Sequence, residues 1–69
     1  MNKIKWFKSP RKLNTLPVRS VVQFDQSWDR WIKGDDGMWT SSIIPFTAES
    51  MVHYNNGRVF KIISMGDGT

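Results

Sequence analysis

The chain of 69 residues has no cysteine and a single histidine, His53. A disulfide and a thiolate metal site are thereby excluded, and zinc's usual nitrogen and sulfur donors cannot be gathered from one copy. No metal site and no cofactor are expected. No apolar run approaches the roughly 18 residues needed to span a bilayer, so no membrane association is expected. The basic start MNKIKWFKSPRK has no apolar stretch behind it of the kind that marks a secretory signal. Absence of cysteine suits a reducing compartment, and the expected location is the cytoplasm. Acid is also missing where base is dense. Residues 1–20 carry Lys3, Lys5, Lys8, Arg11, Lys12 and Arg19 and no carboxylate, whereas the remainder sets four bases against six acids. The two parts, +6 and −2, sum to the net charge of +4. Such asymmetry points to a tail for nucleic acid or another acidic partner, or equally to an arm that folds back on its own acidic body.

What the chain has in place of staples is aromatic weight. Four Trp, four Phe and one Tyr stand in one small domain, and each can bury about 150–250 Å². That matters because domains of this size bury only about 60% of the surface their unfolded chains expose.

Residues 1–17 lack a clean period. Ser9-Pro10 and Leu16-Pro17 read as breakers, so this stretch is expected to be a basic N-terminal arm, with at most a short strand or helical turn around Ile4–Phe7. The β-rich body is expected over 18–64 and a frayed tail over 65–69. Ser20–Phe24, rich in β-branched and aromatic residues, reads as a strand. Asp25-Gln26-Ser27 is a polar turn, and Trp28–Lys33 a second strand. Asp35-Asp36-Gly37 has the composition of a bulged three-residue hairpin loop with Gly37 left-handed. That loop sets Lys33 opposite Trp39 in a third strand, Met38–Ser41. Trp31 and Trp39 then share one face, the core face, while Trp28 and Ile32 point to the other. Thr47–Tyr54 reads as a short helix capped by Thr47 and stopped at Asn55-Asn56-Gly57, and Arg58–Ser64 as a closing strand. The expected class is α+β or mainly β: a small antiparallel sheet of three to five strands with one short helix before the last strand.

Catalysis needs a nucleophile, a base and an orienting group within reach of one another. His53 has no distinctive flanking motif and reads as an ordinary helix residue; no catalytic residue is assigned. Asp35 and Asp36 lack the longer ladder of oxygen ligands that a calcium loop requires. Two binding signals remain. Lys3, Lys5, Lys8, Arg11 and Lys12 surround Trp6 and Phe7, a mixture that can neutralise phosphates while rings stack on bases; the plain alternative is a ring docked on the body among solvated lysines. The second signal is Trp28 with Arg30, residue types enriched where proteins bind proteins. A homodimer closing over the uncovered sheet face is a third expectation.

The pattern Leu16-Pro17-Val18-x-Ser20-Val21-Val22, Trp31, Asp36-Gly37-x-Trp39 and Gly57-Arg58-Val59-x-Lys61-Ile62 resembles short non-structural proteins of tailed actinobacterial bacteriophages, over residues 16–63. This chain departs from that pattern at Arg19, where glycine is usual, and at Gln26-Ser27, where a first Asp-Gly would sit. The resemblance implies a phage-encoded β-rich domain acting in the host cytoplasm, with no catalytic residues. The function expected first is therefore a non-enzymatic protein that binds a host or phage protein. The second is a nucleic-acid-binding accessory protein that uses its basic arm.

Overall fold

The structure, a computed structural model, describes residues 4–67. In chain order it contains β1 (Trp6–Phe7), α1 (Pro10–Thr15), β2 (Val21–Phe24), β3 (Arg30–Lys33), β4 (Trp39–Thr40), α2 (Ala48–Tyr54) and β5 (Phe60–Ser64). The five strands form one antiparallel sheet in the order β1-β5-β2-β3-β4. The expected class, a small α+β domain with a short helix before the last strand, is what the chain adopts.

The β3–β4 hairpin follows from its loop chemistry. The Gly37 N–H donates to the Gly34 carbonyl at 3.0 Å and the Gly34 N–H to the Met38 carbonyl at 2.8 Å. Asp36 Oδ1 accepts the Met38 N–H at 2.9 Å, and Gly37 sits at φ 83°. Lys33 consequently stands opposite Trp39 and Ile32 opposite Thr40. A one-residue slip would exchange the faces of Trp39 and Thr40.

Alternation along the strands then separates the two faces. Val22, Phe24, Trp31, Trp39 and Phe60 are each at most 1% exposed and form the core with Leu13 and Leu16 from the α1 region and Ala48 and Met51 from α2. Each large side chain buried this way is worth about 1.5–3 kcal/mol. Phe46 meets Trp31 edge-on at 5.1 Å and Tyr54 at 5.3 Å, extending the aromatic packing to the end of α2. The indole nitrogens of Trp31 and Trp39 are buried without a hydrogen-bond partner among the described residues, a cost that the rings' packing offsets.

The N-terminal segment is not the projecting arm that its composition suggests. β1 pairs with β5, setting Trp6 against Lys61 and Phe7 against Phe60. Ser9-Pro10 starts a helix here. Ser9 Oγ accepts the Arg11 N–H at 3.0 Å, and Pro10 occupies the first helical position, where its missing N–H costs nothing. The helix delivers Leu13, fully buried, and Leu16, 4% exposed, to the core. Its carbonyl end is then closed from the sheet. Lys33, 8% exposed, sends its Nζ to the carbonyl oxygens of Leu16 at 2.7 Å, Asn14 at 3.2 Å and Leu13 at 3.4 Å. An ammonium at a helix C-terminus satisfies orphan carbonyls and meets the negative end of the dipole.

The end of the chain departs from a frayed tail as well. The Gly66 N–H donates to Ser20 Oγ at 2.9 Å, and a side chain at Gly66 would collide with the backbone of Val18–Ser20. Arg19 Nε donates to Asp67 Oδ1 at 2.9 Å. Residues 65–67 are thus fastened beside the start of β2, and Gly68 and Thr69 lie outside the described residues.

Candidate recognition face

Because α1, α2 and the core side chains occupy one side of the sheet, the other side carries no helix. The register puts a single row across four strands on that side: Trp6 opposite Lys61, Lys61 opposite Gln23, and Gln23 opposite Arg30. At about 4.8 Å between strands, the row spans roughly 14 Å. A second row runs from Val21 to Ile32 to Thr40. Trp6 is 40% exposed and Ile32 48% exposed, and Arg30 is open to solvent. Lys61 holds its ammonium 5.7 Å from the centre of the Trp6 ring, a cation–π contact that orients both groups.

The rim of this face is built by the β2–β3 loop. Ser27 N–H donates to the Phe24 carbonyl at 3.2 Å, with Gln26 left-handed at φ 60°. Gln23 Nε2 donates to the Ser27 carbonyl at 2.8 Å, and Ser27 Oγ accepts the Asp29 N–H at 3.2 Å. Trp28 is therefore held by its backbone neighbours while its ring is 96% exposed. The strand expected from Trp28 begins at Arg30, so Trp28 is a loop residue; the burial of Trp31 and Trp39 agrees with the hairpin register read from the sequence.

The basic and aromatic residues of the N-terminal segment are divided between two sides. Trp6 faces the helix-free side. Phe7 turns inward against Phe60, with ring centroids 5.9 Å apart, and lies between Lys12 Nζ at 4.7 Å and Lys5 Nζ at 5.5 Å from its own centroid. Phe7 is thus a packing residue flanked by cations, and its ring face is not free for a base. Lys8, just after β1, and Arg11, in α1, are exposed, and Lys3 lies outside the described residues. Lys61, absent from the residues singled out by composition, joins Trp6 instead. The alternation of Phe60, Lys61 and Ile62 carries that signal, since Lys61 must oppose its two apolar neighbours.

Among the described residues the ion pairs belong to Arg19, which meets Asp35 at 3.4 Å and also Asp67. Lys5, Lys8, Arg11, Lys12, Arg30 and Lys61 have no carboxylate within salt-bridge distance among the described residues. No strand residue on the helix-free face is acidic. Asp25 and Asp29 sit in the β2–β3 loop at the rim of this face, Asp35 and Asp36 in the hairpin loop and Glu49 in the first turn of α2. His53 is exposed in the last turn of α2, and no group of three or more metal-ligating side chains occurs among the described residues. No helix among these residues is long and apolar enough to cross a membrane.

Comparison with protein-family models, curated proteins and solved structures finds no match.

Proposed function

We propose that this chain is a non-enzymatic accessory protein that binds single-stranded nucleic acid on the helix-free face of its sheet. The observation that carries the reading is the row Trp6, Lys61, Gln23 and Arg30, aligned by strand register with no acid in it. Trp6 offers a ring for stacking, Lys61 and Arg30 offer charge for phosphates, and Gln23 supplies a polar amide between them. Lys5, Lys8 and Arg11 extend the positive field beyond the β1 edge. Single strands are favoured over duplex because stacking on an indole needs an unstacked base.

Anisotropy titration of a labelled single-stranded oligonucleotide at 50 and 200 mM salt tests the proposal. For about four phosphate contacts the affinity falls roughly 50-fold between the two conditions. Trp6→Ala weakens binding by about 1–3 kcal/mol, the usual worth of one stacked base. Binding that is absent at 50 mM salt, or indifferent to both changes, rejects the reading.

Trp28 favours a second reading. A fully exposed tryptophan on a hydrogen-bonded loop, followed by exposed Arg30, has the make-up of a protein-binding hot spot. On this reading the partner is a host or phage protein in the host cytoplasm, as the phage resemblance implies. Loss of a host protein from an affinity purification on Trp28→Ala, with oligonucleotide affinity near zero in the parent, selects it.

A further inference from the structure

β5 runs past its edge partner. β1 pairs with it only at Phe60 and Lys61, so among the described residues Ile62–Ser64 are paired on the β2 side alone. Ile4 and Lys5 lie outside the strand pairing, and a cleft of about 530 Å³ opens beside this stretch of β5. Its walls are the side chains of Ile4, Phe7, Ile62 and Met65, with Lys5 and Lys61 at its borders. Ile63 also reaches the cleft, because a register shift between Val21 and Val22 leaves it as the extra residue of a bulge in β5. Ile4 is 61% exposed and Met65 59% exposed, so apolar surface here is uncovered.

We propose that this cleft seats a short extended peptide in which apolar side chains alternate with carboxylates, adding as a strand to Ile62–Ser64. The apolar walls take one or two aliphatic side chains, and the backbone that no described residue pairs on this side supplies pairing of the β-augmentation type. Charge selects the occupant. Both cations of the lining are free of carboxylate partners, so glutamate or aspartate in the incoming segment completes them. A second copy fits poorly. Joining two such edges would bring Lys5 and Lys61 of each copy together, and the bulge at Ile63 interrupts the straight edge that a long strand-to-strand seam needs. This site lies at the sheet edge and rests on the pairing left open on β5; it shares Lys5 and Lys61 with the proposed nucleic-acid face.

The test is amide chemical-shift mapping on the full chain with the capped peptide Val-Glu-Val-Glu-Val, and with Val-Lys-Val-Lys-Val as the control. The expected result is saturable binding with Kd below about 1 mM, with shifts confined to Ile62–Met65 and Ile4–Phe7, and at least about tenfold weaker binding of the control. Met65→Glu, at a position 59% exposed, should weaken binding of the glutamate peptide at least tenfold, and Lys5→Glu should reverse the preference between the two peptides. Equal binding of both peptides, shifts centred on the Gln23–Arg30 row, or no shift at about 1 mM peptide overturns the proposal. So does a concentration-dependent dimer that protects the same amides. Oligonucleotide affinity of Met65→Glu, which leaves Trp6, Lys61, Gln23 and Arg30 in place, reports on the other face separately.

Discussion

The two sides of the sheet use the same residue types for opposite ends. On the helix side, Trp31 and Trp39 are buried to 1% or less and a lysine is enclosed with them. On the helix-free side Trp6 is left 40% exposed beside Lys61, and in the β2–β3 loop Trp28 is 96% exposed. Composition alone does not separate these populations; strand register does. The lesson is that in a domain this small the aromatic residues cannot all be spent on stability, because two short helices cover only one face.

The comparison breaks most sharply at Trp39. Trp39→Ala should cost about 3–5 kcal/mol, the range for emptying an aromatic core site, and chemical denaturation measures it directly. A variant that unfolds with the parent would mean the hairpin register is wrong and the faces are exchanged.

Lys33→Met comes next. It keeps the aliphatic stem but removes the donor shared by Leu13, Asn14 and Leu16. The loss is expected at about 1–3 kcal/mol, typical of orphaned buried polar groups, with α1 amides exchanging faster than those of β2. Uniform protection across both elements would show that the ammonium does not hold the helix.

A smaller change of opposite sign is expected at Gln26→Gly. Gln26 adopts a left-handed backbone at φ 60°, which costs a side-chain-bearing residue about 1 kcal/mol. Glycine should raise stability by roughly 0.5–1 kcal/mol, and a fall in melting temperature would argue against the turn. The smallest effect belongs to Trp28→Ala, expected within about 0.5 kcal/mol of the parent as for other surface sites. A larger loss would move Trp28 from the recognition rim to the core.

The body of the fold was readable because its signals are local. Asp35-Asp36-Gly37 specifies a loop length, the loop length specifies Lys33 opposite Trp39, and the period of two then sorts Trp31 from Ile32. The N-terminal segment was misread for an equally physical reason. Ser9-Pro10 is ambiguous: proline breaks a helix from inside and begins one from its first position, and α1, at six residues, is too short to display a period. Its stability comes from Lys33, twenty positions from Leu13 in the chain, and no window of sequence contains that contact. The pairing of β1 with β5 is likewise non-local. The recognition row was half legible. Trp6, Trp28 and Arg30 stand out by type, whereas Lys61 and Gln23 join them only through the order β1-β5-β2-β3.

Arg19 adds a point about left-handed backbone. It sits at φ 73°, a backbone that glycine adopts most readily. Here an arginine accepts that backbone and uses its guanidinium to fasten Asp67, tying the end of the chain to the start of β2.

The enclosure of Lys33 also makes it an internal clock. Amine acylation needs a free, accessible nitrogen, and this one is committed to three carbonyls beneath α1. Solvated lysines such as Lys8 should label at once under a mild acylating reagent, while Lys33 reacts only during excursions that lift the helix from the sheet. Its labelling rate, read by mass spectrometry, therefore times those excursions without any engineered probe.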